Sequence, residues 1–286
     1  MTHGADIQKR AFIVGCSRSG TTVLQVAVAS HSRMASFPET FFFLRLPGRL
    51  GRPGVWLGLP SERARPALEE AFDRLGIADS DRPRPDAWGV RPYIDTSLEV
   101  LDATAQEAGA DMWVEKTPQH IYRLGSILRY VPQAHIIHMI RDGRDVVAST
   151  CDRARTYPDR FDSRQQEPPF AIGRWNRALR TARTYLGAPG HTFVVYENFV
   201  QHPERALRRI CRDLGIDFEP QMVEGDEDAA ASVIPDGKDW LSGAKGPPKQ
   251  QASKFDRLFS PSEQADIEDR LRLDIYDHIV ERVGGE

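Results

Sequence analysis

The 286-residue chain is short of cysteine, with only Cys16, Cys151 and Cys211. A sparse, odd set without a CxxC pair argues against a disulfide framework or a cysteine-built zinc site. A reducing, cytoplasmic home is the expectation. No stretch approaches the roughly 18 apolar residues of a membrane span. The opening MTHGADIQKR lacks the apolar core of a secretory leader, so none is expected. Neither sign of charge is in excess: 38 Lys and Arg face 41 Asp and Glu, a net charge of -3. That balance gives no reason to expect nucleic acid or an anionic membrane as partner. Internal repeats and long low-complexity tracts are missing too. What is present, 40% hydrophobic and 28% charged residues, reads as a soluble globular chain, long enough for one large α/β domain with a sizeable core.

One more absence is a single lysine. The segment "IVGCSRSGTTVLQ", Ile13 to Gln25, places Gly15 and Gly20 at the spacing of a nucleotide-binding loop, yet reads Gly-Thr-Thr where an ATPase has Gly-Lys-Ser/Thr. Ala11–Cys16 is a short apolar run that reads as a buried parallel strand. A helix is expected over Thr21–Ser30. Strand, glycine loop and helix together make an anion cradle, because loop N–H groups and a helix N-terminus aim positive charge at a phosphate. Ser19, Thr21 and Thr22 add hydroxyls, and Arg18 adds a cationic fork. A later apolar strand ends in Ile140-Arg141-Asp142, a cation where an ATPase strand often ends in a magnesium-binding Asp. Both departures imply a ligand less charged than a triphosphate, bound without metal.

Further strands are expected at Met34–Phe37, Met112–Glu115, Ala134–Ile140 and His191–Tyr196. Helices are expected at Glu62–Leu75 (Ser61 as N-cap), Ser97–Ala108, from Thr117-Pro118, from Asp142 to Thr150, at Phe170–Leu186, from Pro203 to Leu214 and from Ser260-Pro261. Strands alternating with helices predict an α/β fold: a P-loop-like parallel sheet flanked by helices, in one domain spanning 1–286. Residues 41–95, rich in Gly, Pro and Arg, read as an irregular and partly helical insertion over the active site. Phe41, Phe42, Phe43, Trp56 and Trp88 give that stretch apolar surface that seeks cover or a ligand.

Taken together, "CSRSGTT" and the later "MIRDGRDVVAST" resemble the sulfotransferases that use 3′-phosphoadenosine-5′-phosphosulfate, and the resemblance covers most of the chain. It implies that Cys16, Ser17, Arg18, Ser19, Gly20, Thr21 and Thr22 hold the 5′-phosphosulfate. It implies that Arg141 and Ser149 hold the 3′-phosphate. The physics agrees: an arginine at a strand end and a serine two helical turns on can converge on one anion. Arg144 reads instead as a surface ion pair.

"SFPETFF" is similar to the tyrosylprotein branch of that family, whose Glu-Thr pair supplies the base; Glu39 is then the base, and Phe41 stands where the branch has an arginine. "VEKTPQH" offers Lys116, which the resemblance makes the cation at the transferred sulfonate, with His120 as the rival base. By residue type alone, Glu39 is equally a helix cap or solvated charge, Lys116 a partner of Glu115, and His120 structural. "VVYENFVQHPERAL" makes Tyr196 a cofactor-site candidate, or else a core tyrosine. Residues 236–256 resemble a cofactor-covering loop in which Lys245 contacts phosphate.

The expected activity is therefore metal-independent, in-line transfer of a sulfonyl group to the hydroxyl of a small molecule, sugar, lipid or peptide. Adenosine 3′,5′-bisphosphate is the expected by-product, with a base on one side of the sulfur and cations on the other. A homodimer stays open. Two other readings are a P-loop small-molecule kinase and a non-catalytic nucleotide-binding protein.

Overall fold

The computed structural model describes residues 6–46, 54, 57–225, 229, 231, 233, 246–249 and 253–284. Trp56 and Lys245 lie outside the described residues, as does most of the expected covering loop 236–256. Five strands, β1 (Lys9–Gly15), β2 (Met34–Phe37), β3 (Met112–Lys116), β4 (His135–Ile140) and β5 (His191–Val195), form one sheet in the order β2-β3-β1-β4-β5. Every pairing is parallel. All five C-terminal ends therefore open on one edge. The expected α/β P-loop-like architecture is what the chain adopts.

Period-two alternation explains the two-sided core. Phe12 and Val14 of β1 point into one layer with Trp113, Ile136 and Phe193. Ala11 and Ile13 point the other way, joining Met112, Val114, Ile137 and Val194. The second layer is closed by α1 (Thr21–Ala29) and by the later helix Pro203–Leu214. Phe12 also lies edge-on to Trp113 at 5.3 Å and to Phe43 at 6.0 Å. It thus ties the sheet to the first turn of the insertion, and truncating such a ring costs about 3–5 kcal/mol.

The insertion is more helical than its composition suggests. After the single turn Phe42–Arg45 comes α2 (Ala64–Leu75), and α3 runs Val90–Glu107, starting seven residues before the expected Ser97. Pro92 hides that start in the sequence, yet proline fits a helix's first turn, where N–H groups lack partners anyway. Ser61 sits two residues ahead of the α2 cap and takes the Arg63 N–H at 2.8 Å. Phe42 and Phe43 are buried, whereas Trp88 stays 67% exposed. The segment after β3 begins as a 3₁₀ turn (Pro118–Arg123) before α4 (Leu124–Tyr130). Next come α5 (Gly143–Thr156), α6 (Pro168–Arg183), α7 (Tyr196–Gln201) and α8 (Pro203–Leu214). The last two helices are α9 (Pro261–Arg270) and α10 (Leu273–Gly284). Among the described residues, no helix is long and apolar enough to cross a membrane.

A buried imidazole cluster lies on β4 and β5. His138 shares a 2.9 Å hydrogen bond with His191 and stacks on Phe193 at 4.3 Å. His135 shares one with Thr192, whose hydroxyl donates to Asp213. Burial holds all three imidazoles below their ordinary range. His191 and His135 also depress His138, His191 falls to about 4, and at His135 Asp213 opposes the shift while Lys9 adds to it. These groups stay neutral in the fold but take protons in the unfolded chain below about pH 6.5. Stability from them is therefore full above that value and is lost as pH falls toward 4, by up to about 1.4 kcal/mol per pH unit for the fully buried His138. A His138→Phe variant, which keeps the stack on Phe193, should show a shallower acid slope of Tm than the parent. An unchanged slope would contradict this origin.

Candidate active site

The loop after β1 turns on a Ser19 N–H to Cys16 carbonyl bond of 3.2 Å. Gly15 is forced by proximity: a Cβ there would stand 2.5 Å from the Met139 carbonyl oxygen of β4. Gly20 is forced twice, by φ of 87° and by the buried Tyr196 ring, 2.4 Å from where its Cβ would be. Arg18 sits at φ 76°, which a non-glycine residue rarely adopts. That turn sends its side chain toward α5 rather than along the loop.

There the two expected anion grips meet. Arg18 Nε donates to Ser149 Oγ at 3.0 Å, and Arg141 Nη1 donates to the Arg18 carbonyl at 3.3 Å. Arg141 also pairs with Asp145 at 3.2 Å and lies 4.1 Å over the Tyr196 ring, while its buried Nε has no hydrogen-bond partner among the described residues. Arg144 points away, paired with Asp142 and Glu268, as expected.

Two arginines join this cluster that the sequence reading did not single out. Arg174 of α6 donates to Ser17 Oγ at 3.2 Å. Arg153 of α5 holds Gln165 at 3.1 Å and covers Phe161, and among the described residues its buried Nε has no hydrogen-bond partner. Its position four residues after Ser149, on the same helix face, is a signal that was available. Burial, then Arg18 and Arg174, pull the Arg153 guanidinium down to about 10; burial, then Arg141, lower Arg18. Four clustered cations beside a glycine loop, two of them with a buried N–H left without a partner among the described residues, suit a multiply charged anion such as an adenosine bisphosphate.

Not every candidate contributes a side chain. The Cys16 thiol is packed in the core and pushed up to about 11 by burial, against the opposing Arg174, so Cys16 offers only backbone. Ser19, Thr21 and Thr22 are buried within the loop and the first turn of α1. Tyr196 is a wall behind Gly20 and Arg141. The described end of the expected covering loop is fastened to α5: Ser253 donates to Asp145 at 2.7 Å, and Lys254 reaches Asp152 at 2.5 Å.

Beside the cradle, at the ends of β2 and β3, Lys116 Nζ donates to Glu39 Oε1 at 2.5 Å. Lys116 is 3% exposed and Glu39 23%. The lysine therefore pairs with Glu39 and not with Glu115, because adjacent strand residues point to opposite faces. Arg74 of α2 fixes the Glu39 carbonyl at 2.6 Å and lies 4.7 Å over Phe41. His120 is fully buried, with Nδ1 3.0 Å from Glu115 Oε2 and its ring against Phe43 at 5.5 Å. That enclosure favours the structural reading of His120 over its reading as rival base. A groove of about 950 Å³ along β5, α7 and α8 contains none of these residues, so volume alone does not locate the site.

Comparisons with known proteins bear on this arrangement. Residues 10–220 match a family model described as "Sulfotransferase family". Over 218 residues the chain is 28% identical to Protein-tyrosine sulfotransferase 1 of Danio rerio, covering 76% of this chain and 56% of that protein. This chain thus spans little more than half that relative's length. The sulfotransferase domain from the Synechococcus PCC 7002 olefin synthase superposes with TM-score 0.57 at 21% identity, covering 93% of this chain and 94% of that one. Mouse sulfotransferase SULT7A1 complexed with PAP gives TM-score 0.55 at 11% identity, covering 93% and 84%.

Gly20→Ala tests the cradle's shape. The left-handed backbone alone should cost about 1–3 kcal/mol, and the buried Tyr196 ring must also move. A variant with parental Tm would contradict this packing.

Proposed function

We infer the reaction from one premise: the chain belongs to the sulfotransferase family. The activity proposed is transfer of a sulfonyl group from 3′-phosphoadenosine-5′-phosphosulfate to an acceptor hydroxyl. The observation that carries it is the meeting of Arg18 with Ser149 and Arg141, both more than 120 positions further along the chain. When bound, the donor supplies a sulfonyl group already activated as a mixed anhydride.

The residues divide the remaining work. The N–H groups of the Cys16–Thr22 loop take the 5′ end, and Arg141 and Ser149 take the 3′-phosphate, with Arg153 beside them. Glu39 accepts the proton of the acceptor hydroxyl. Lys116 keeps N–H donors beyond the one given to Glu39. With Arg18, it supplies positive charge where negative charge grows during displacement. The acceptor side is assigned to the insertion 41–95, on the support of Phe41 and Arg74 next to Glu39. The acceptor is committed only as a hydroxyl compound. A reducing, cytoplasmic location is proposed on three unpaired, buried thiols.

Thermal shift separates this reading from a kinase. Adenosine 3′,5′-bisphosphate at 100 times its Kd should stabilise the protein by about 2.7 kcal/mol, with ATP and Mg²⁺ giving less. The reverse order would overturn the donor assignment. Glu39→Ala should lower turnover by about 10²–10⁴-fold with bisphosphate affinity kept, whereas Arg141→Ala should mainly weaken that affinity. Normal turnover in the first variant, or normal affinity in the second, removes that residue from its role.

A further inference from the structure

Beneath the Glu39–Lys116 pair lies a carboxylate that the transfer itself does not use. Glu115 is 1% exposed. Its Oε1 accepts from the Thr40 N–H at 3.1 Å, the Thr40 hydroxyl at 3.0 Å and the Thr117 hydroxyl at 2.6 Å. Its Oε2 faces His120 Nδ1 at 3.0 Å. Thr117 Oγ1 in turn takes the Phe41 N–H at 3.3 Å. Burial alone would push this carboxyl up, but His120, Thr117 and Thr40 outweigh it and hold it below its ordinary range. A carboxylate held ionised keeps all its acceptor sites open to these donors.

The donors are not arbitrary. Thr40 and Phe41 directly follow Glu39, while Glu115 and Thr117 flank Lys116. Two short chain segments, some 75 residues apart, are thus sewn together on either side of the one contact that matters for chemistry. The Phe43 and Phe12 rings beside His120 keep the seam in apolar surroundings, where such bonds are strong and leaving one unmade is costly.

We propose that Glu115, braced by His120, is a positioning residue that sets Glu39 against Lys116 through Thr40 and Thr117. The inference rests on the functional reading above for its catalytic meaning, though its geometry stands apart from that reading.

The test uses the full chain with Glu115→Gln, Thr40→Val and Thr40→Ser. Crystal structures of the first two should show the Lys116–Glu39 contact opened beyond hydrogen-bond range; Thr40→Val carries this arm if Glu115→Gln fails to fold. With radiolabelled donor, and 4-nitrophenol or water as sulfonyl acceptor, Thr40→Val should lose turnover by about 10–100-fold. That is the worth of one hydrogen bond to a charged group. KM for the donor and the bisphosphate thermal shift should stay at parental values, and Thr40→Ser should restore turnover. An intact contact in Thr40→Val, a loss expressed in KM instead of turnover, or no rescue by Thr40→Ser overturns the positioning role. An opened contact in a protein whose parent neither transfers a sulfonyl group nor is stabilised by the bisphosphate upholds the geometry and overturns the functional reading instead.

Discussion

Arg18 and Arg141 repel each other, and the fold nevertheless holds the guanidinium of one against the carbonyl of the other at 3.3 Å. Arg153 and Arg174 extend the same repulsion. Nothing about four clustered cations favours folding; Asp145, paired with Arg141, and Asp152, near Arg18, offset only part of the charge. The sheet enforces the arrangement. β1 and β4 are neighbours in parallel register, so the loop after Gly15 and the arginine after Ile140 must emerge side by side. An anion placed among these guanidinium groups would relieve an electrostatic cost of this kind, which favours its binding.

The second neighbour of β1 supplies the other half of the site. β3 ends in Lys116, and β2, paired to β3, leads into Glu39. Central β1 thus separates the arginine cluster from the Lys116–Glu39 pair, the proposed anion-holding and proton-moving sides, both at the carboxyl edge where open α/β sheets bind ligands. Glu115 links the strand-end segment around Lys116 to the core through His120, Phe43 and Phe12. Packing of the turn Phe42–Arg45 and placement of the proposed base Glu39 are therefore one structural problem.

Much of this was legible in the sequence, for local reasons. The strands are short apolar runs bounded by turn residues, and all five fall within two residues of their expected ends. The glycine spacing and the Arg141-to-Ser149 interval are local patterns as well. What escaped was long-range. Arg174 reaches Ser17 across 157 residues, and no spacing rule announces that. The partner of Lys116 followed from strand pairing rather than from its neighbour Glu115. His120 reads from the sequence as a rival base or a structural histidine, and its enclosure by Phe43, Phe12 and Glu115 favours the second. Pro92 concealed the first turns of α3 because proline signals a break more often than a beginning.

The most direct test of the account is a crystal structure of the chain with adenosine 3′,5′-bisphosphate. One molecule should bridge both grips, its 5′-phosphate on the Cys16–Thr22 loop and its 3′-phosphate on Arg141 and Ser149. A bisphosphate engaging only one grip, or bound elsewhere on the protein, would contradict it.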